Sequence, residues 1–471
     1  MKRIFALITA VLFLMSAVGA FAEGPGGNPP SDMPGGGPGG NPPSDMPGGP
    51  GGNPPGGGFG GGPGGSAADI EYSAATEVTS AAELQDGVYM ATAADESALM
   101  VDTEEAVEIS NPTVSKTGDS DGGDNCNFYG LNAAVLVKGG STTTITGGTI
   151  ESSASGANGV FSYGGNGGSN GAAGDGTTVI ISDTTITTTG NGSGGIMTTG
   201  GGITYASNLT VTTSGGSSAP IRTDRGGGTV YVDGGTYTSN GLGSPAIYST
   251  ADISVKNATL VSNLSEGVCI EGQNSITLEN CSLTANNTRC NGNATFLDSI
   301  MIYQSMSGDA NSGTSSFTMT GGSLTSLSGH MFHVTNTNAV ITLSGVELNN
   351  QGSDILLSVC DDGWNGDSNI AALNADNQAL MGMILVGSNA SFALTLTNGS
   401  TFEGTFSGDI ENSKGTVVSS GIGTVSVSLD DSSTWTLTGD TYVSSFTGNA
   451  GNVISNGYTL YVNGTALEGT K

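Results

Sequence analysis

The sequence predicts an all-β chain wound into a parallel β-helix, and three observations carry that prediction. One short pattern returns from about Asn111 to Gly345: apolar, any, apolar, any, a turn residue (Gly, Asn or Asp), one or two small or polar residues, then apolar. Its turn residues 183, 208, 234, 257 and 280 follow one another by 25, 26, 23 and 23 positions, a period that marks stacked repeats and not a globular core. A second apolar pair follows each turn residue, as in Val160-Phe161, Ile196-Met197, Val268-Cys269 and Met331-Phe332. Alternation is of period 2 and helical spacing is absent. The expectation is about ten coils of roughly 20 to 25 residues with two strands each.

The elements follow in chain order. Met1 to Ala22 has a basic start at Lys2 and Arg3, an apolar run from Ile4 to Met15 and a small-x-small site at Ala20-Phe21-Ala22, which predicts a secretory signal peptide. Residues 23–66 are low complexity. Gly24 to Gly36 is repeated residue for residue at Gly37 to Gly49, and so much Gly and Pro leaves nothing to bury, predicting a disordered tether. Residues 67–106 are expected to form an N-terminal cap, with Val88-Tyr89-Met90 and Leu99-Met100-Val101 as strands over the open first coil, since an uncovered end exposes both an apolar bore and a strand edge.

Residues 107–380 are the expected β-helix. Thr144-Ile145-Thr-Gly147-Gly-Thr-Ile150 and Ile276-Thr-Leu278-Glu-Asn280-Cys-Ser-Leu283 show its pattern. Inward side chains stack on counterparts about 4.8 Å away. Gly, Asn or Asp turns the corner because a left-handed backbone costs most other residues roughly 1–2 kcal/mol. Stacked Asn side chains can satisfy one another, and Thr and Ser face solvent, where β-branching suits a strand. Insertions interrupt the beat at Gly118 to Asn125, Gly164 to Gly176, Asn286 to Asp298, Gln304 to Gly313 and around Asp361-Asp362-Gly-Trp364. In solenoids such insertions fall on one face, often the face that binds. Residues 381–471 complete the coils and a C-terminal cap, with no wall-sorting motif, so surface retention is expected to be non-covalent or through a partner.

Composition narrows the function. The formal charge is −31, from 10 Lys and Arg against 41 Asp and Glu. Nucleic acid and anionic membrane need basic residues and are poor partners for such a chain. No segment after the leader is long and apolar enough to span a bilayer. The five cysteines, Cys126, Cys269, Cys281, Cys290 and Cys360, are odd in number and unpaired in spacing, so they are not a disulfide framework. Cys269 reads as an inward core residue and Cys281 as a corner filler, with one pair, such as Cys281 with Cys290, left open.

Few residues can carry chemistry. Asp119, Asp121 and Asp124 in a glycine-rich loop offer oxygen ligands of the kind calcium takes, or else a solvated acidic turn. Arg222, Asp224 and Arg225 bring rare basic charge together and can receive a carboxylate or a sugar acid. Aligned coils put Tyr248 one rung from Arg222, where guanidinium and ring can stack. The structural alternative pairs Arg222 with Asp224 and that ring. His330 and His333, three apart on a strand, are expected on opposite faces, and no Ser/His/Asp set is evident. Asp361 and Asp362 are an acidic pair of the sort chance supplies among 41 acids.

At Ile221 to Val230 and Ser244 to Ile253 the chain resembles the pectate-lyase-like right-handed β-helix superfamily, and within it adhesin-like secreted proteins of Gram-positive gut anaerobes. The resemblance, one of repeat pattern over roughly residues 100 to 460, implies a right-handed coil. The Gly-His-Gly and Asn-Thr-Asp signatures of the superfamily's pectin hydrolases do not occur. Of the lyases' calcium-binding ladder, Asp224 and Arg225 are the candidates. The expectation is a secreted, non-enzymatic adhesin-like or carbohydrate-binding protein at or near the cell surface, with a polysaccharide or surface glycan as partner. A polysaccharide lyase or glycoside hydrolase acting on acidic polysaccharide is the rival. It requires Asp224 and Arg225, or Asp361 and Asp362, to converge in a groove with a second carboxylate. A spacer or ice-binding surface would need a flat, regular Thr face, and the long insertions argue against one.

Overall fold

Alternating strands and left-handed corners build a right-handed parallel β-helix, seen in a computed structural model that describes residues 70–167, 173–364 and 369–471. The expected leader, the tether, the start of the N-terminal cap and the middle of the second insertion lie outside those residues.

Each coil carries three strands, not two. The repeat Val107 to Val114 is itself two strands, Ala106–Ser110 and Thr113–Lys116, bent at Asn111, and the apolar pair forms a third, as in Val160–Tyr163. The first sheet has 14 strands, the second 10 and the third 13, neighbours in each being successive coils. A four-stranded sheet beginning at Ala379–Met381 follows the second sheet in chain order. Fourteen strands in the first sheet exceed the ten coils expected. The excess lies at the ends, where coil-to-coil bonds span 22, 32 and 19 residues and irregular length hides the beat. The expected cap also holds coil strands: Ala82–Gln85, Val88–Ala91 and Leu99–Asp102 pair in register with the next coil.

The first corner behaves as its residues require. Asp86, Asn111, Asp183, Asn208, Asn257, Asn280, Asn377 and Asn398 have φ between 47° and 57°, the region where Asn and Asp are the tolerated side chains. Their amides bond along the stack: Asn111 Nδ2 donates to Asp86 Oδ1 at 3.3 Å and Asn257 Nδ2 to Asp233 Oδ1 at 2.8 Å. Gly147, Gly234 and Gly321 take the corner where the preceding coil has Asn, and a Cβ there would fall 2.6 to 2.7 Å from that Asn Oδ1. The corner between second and third sheets is a serine ladder. Ser193 and Ser218 Oγ accept the N–H of Ala157 and Ser193, each from the coil before, at 2.9 Å, and donate back to carbonyls of that coil.

Inside the corners the bore is lined by apolar side chains. Ile109, Ile145, Ile181, Val255, Leu278, Met319 and Leu343 belong to one continuous buried cluster, and each fully buried Leu or Ile contributes about 1.5–3 kcal/mol. All five cysteines are free. No helix among the described residues is long and apolar enough to cross a membrane.

The corner can be tested at Asn257. Asn257→Gly, which keeps the turn and loses the exposed amide bond to Asp233, should shift the urea midpoint little, whereas Asn257→Val should destabilise the coil by about 1–2 kcal/mol from backbone strain, both read by circular dichroism during urea unfolding.

Candidate functional site

Long insertions decide where a site can lie, and all of them flank strands of the third sheet. The segment ending at Ala134 precedes the strand Val135–Lys138, and residues 164–177 follow the strand Val160–Tyr163. Strand Asp298–Tyr303 has insertions on both sides. Its outer face is therefore covered as well as its inner one, and Val160–Tyr163, Ile196–Thr199 and Val268–Glu271 are buried along their whole length. This explains the apolar pairs in the sequence. Val160, Ile196 and Val268 enter the bore, while Phe161, Met197 and Cys269 lie outside it beneath the insertions. Cys269 is thus an outer residue, because two apolar neighbours on a strand must face opposite ways.

Between the apolar outer clusters the covered face turns polar, and the predicted residues meet there. Arg222 Nη2 contacts Asp224 Oδ2 at 2.7 Å, and its Nη1 donates to Ser217 O at 2.9 Å and Asn127 Oδ1 at 3.3 Å. Arg222 pairs in register with Tyr248, its guanidinium 5.6 Å from the ring centre. Arg225 lies 4.2 Å over the Phe128 ring and donates through Nε and Nη2 to Asp309 Oδ1 at 3.0 and 2.7 Å. Arg222 and Asp224 are only 6% and 3% exposed. The basic cluster does receive a carboxylate, and the chain itself supplies it. Burial, with Asp309 nearby, pushes Asp224 up to about 7 against the pull of Arg222.

Glu271, which sequence reasoning passed over, anchors the insertion Gln304 to Gly313. Its Oε2 accepts from Tyr248 at 2.6 Å and Tyr303 at 3.2 Å, and its Oε1 from Ser307 at 3.2 Å and from Ser305. Ser307 Oγ in turn accepts the Asp309 N–H at 3.1 Å, tying this group to Arg225. Burial raises Glu271, and likewise Glu266 and Asp298. The rival enzyme reading asked for a second carboxylate beside Asp224 and Arg225. Asp309 is one, but it is buried, as Asp224 is, and is taken up by the half-buried Arg225.

The calcium expectation finds no support in the geometry. Asp119 accepts the Ser155 N–H at 2.7 Å, Asp121 is exposed, and Asp124 opens the short helix Asp124–Phe128. Among the described residues no three His, Cys, Asp or Glu side chains form a metal-holding group. Asp119 is spent on the backbone of the next coil, and Asp121 and Asp124 face outward.

The histidines depart from expectation in an informative way. His330 and His333 share one face, with Nδ1 2.8 and 2.7 Å from the same Ser358 Oγ. Met331 and Phe332 between them both enter the bore, as do Leu356 and Leu357 on the next coil, where the pairing shifts register after Ile355. Two successive bore residues, Met331 and Phe332, break the alternation and return the second His to the outside. A Ser358, His333 and Asp362 constellation results, with His333 Nε2 3.4 Å from Asp362 Oδ2, longer than a good hydrogen bond. Ser358 and His333 are fully buried. Asp362 Oδ1 is held by Thr295 N–H and hydroxyl at 2.6 Å, and Asp361 turns away to Asn369 and Asn389. Burial pushes His330 down to about 3, so it is neutral at ordinary pH. The arrangement is a packed polar core under Phe296, whose ring centre lies 4.6 Å from that of His333.

The first and second sheets keep open outer faces. On the first, Tyr205 and Tyr231 pair in register and stack at 5.0 Å with 10° between planes, 44% and 45% exposed, beside exposed Ile180. The same outward column continues as Ser254, Thr277, Thr318, Thr342 and Asn374. Two outward tyrosines one coil length apart were the available sequence signal. No family model matches this chain, and neither the curated proteins nor the solved structures searched contain a match.

Two outcomes test the covered face. Glu271→Gln turns an amide toward hydroxyl donors and should cost about 1–3 kcal/mol, with faster proteolysis between Gln304 and Gly313. The raised acids also set a pH dependence. Their folded affinity for protons exceeds that of the unfolded chain, so their contribution is complete below about pH 4 and is lost as pH rises, in the case of Asp224 through about 7. The thermal midpoint should be higher at pH 5 than at pH 8, and Asp224→Asn should flatten the difference.

Proposed function

We propose that the chain is a secreted, non-enzymatic, adhesin-like protein that binds polysaccharide at or near the cell surface. The observation that carries this reading is the exposed Tyr205–Tyr231 stack on the outer face of the first sheet. Aromatic rings offer apolar faces and edges to the CH faces of sugars while keeping a hydroxyl for water. Ser254, on the next coil in the same column, is too small to cover the far side of Tyr231. Beyond it the column of Thr hydroxyls and Asn374 supplies the donors and acceptors that a chain of sugars needs. Glu83 and Glu108 are the column's charges, both at its start, so the fitting ligand is a neutral glycan lying along the helix axis.

Other features support the reading without deciding it. The repeat pattern resembles the pectate-lyase-like superfamily and its adhesin-like secreted members. The leader pattern suits export, and a tether of Gly and Pro suits holding the solenoid away from its anchorage. The enzyme alternative rests on Asp224, Arg225 and Asp309 meeting, and it requires the covering insertions to part.

Retention of the protein on an array of plant, host and bacterial glycans, with and without calcium, tests this. Tyr231→Ala should weaken retention roughly tenfold at most, since an aromatic contact is worth about 0.5–1.5 kcal/mol beyond area, while Arg222→Ala should alter stability and not binding. Unsaturated or reducing ends appearing on the spots would move the enzyme reading to first place.

A further inference from the structure

The outer face of the second sheet is a two-dimensional lattice of threonine. Thr149, Thr185, Thr210, Thr236 and Thr259 pair in register from coil to coil and point outward. Two residues further along their strands, Thr187, Thr212 and Thr238 form a parallel column. Strand geometry spaces such side chains at about 4.8 Å between coils and about 6.7 Å along a strand. Ser282 and Ser323 extend the first column, and in the second Val261 stands between Thr238 and the pair Thr284 and Thr325.

Strand propensity alone favours Thr at outward positions. It does not account for the charge on this face. In a chain with 41 Asp and Glu, Glu151 is the one charged side chain among the outward positions of the eight strands from Thr113–Lys116 to Ser323–Ser326. Nor does propensity account for the smoothness: the insertions flank the third sheet and leave this one uninterrupted. An uncharged array, stiff because β-branching restricts χ1, presents a hydroxyl and a methyl at each point and suits a partner that is itself uncharged, hydroxyl-bearing and periodic in two dimensions. Over those eight strands no aromatic side chain points outward to stack on sugar rings, in contrast to the first sheet.

We infer that this face binds ice, its threonines holding first-layer water in the positions of the crystal lattice. The inference is independent of glycan binding on the first sheet. The test is inhibition of ice recrystallisation by the full chain, with Thr210→Lys/Thr212→Lys in the centre of the face and Thr142→Lys, on the first sheet and outside the tyrosine column, as control. All three positions are solvent-facing, and circular dichroism melts verify that each variant folds. Wild type should arrest grain growth, the double variant should need roughly tenfold more protein, as a loss of about 1.4 kcal/mol implies, and the control should match wild type. Grain growth equal to that in serum albumin, or equal loss in the control, would overturn the inference. So would retention of the full chain on crystalline cellulose with ice growth unaffected, which would assign the face to a polysaccharide solid.

Discussion

Coil-to-coil registration at the left-handed corner is the constraint on which the structure depends. A single coil of this chain cannot bury its interior, and it gains a core only when neighbours above and below repeat its path. Asn, Asp and Gly at φ near 50° to 75° turn successive coils from Asp86 to Asn398 at the same point. Asn amides then tie corner to corner, and where Gly replaces Asn the preceding Asn fills the space. Once the corner repeats, alternation places the bore residues over one another without further instruction, and strands in the first and second sheets stay in step through coils of very different length.

The third sheet shows what the insertions do with that regularity. A solenoid strand normally shows one face to water. Here extra segments lie over the outer face and convert one column of outward residues into a second core, apolar toward both ends and charged in the middle. Burying Arg222, Asp224, Arg225, Asp309 and Glu271 costs several kcal/mol per ion in desolvation, and only the density of their mutual bonds makes the arrangement tolerable. Such a network contributes little net stability over an apolar packing, but it dictates where each insertion must lie. The acids that burial keeps protonated to higher pH are part of the same compromise.

On the proposed reading, function is displaced from the residues that look most chemical. Arg222, Asp224, Glu271 and His333 are buried, and the surfaces left open include a tyrosine stack among hydroxyls on the first sheet and the threonine lattice on the second. Recognition by such surfaces works through repetition of weak contacts along a rigid support, which suits an extended or crystalline partner better than a small ligand in a pocket.

Period, corner residues and alternation in the amino-acid sequence were enough to determine the parallel β-helix, the left-handed Asn and Gly corners and the neighbouring of Arg222 and Tyr248, because in a stacked repeat local pattern and tertiary register are the same thing. Three strands per coil, the outward placing of Cys269 and the shared face of His330 and His333 were decided by tertiary structure. An apolar pair reads alike whether one member or both enter the bore, and two successive bore residues reset the alternation. The partnership of Arg225 with Asp309, 84 residues away, and the sealing of Glu271 belong to the structure for a different reason: insertions carry no repeat, so nothing in their sequence says which coil they will cover.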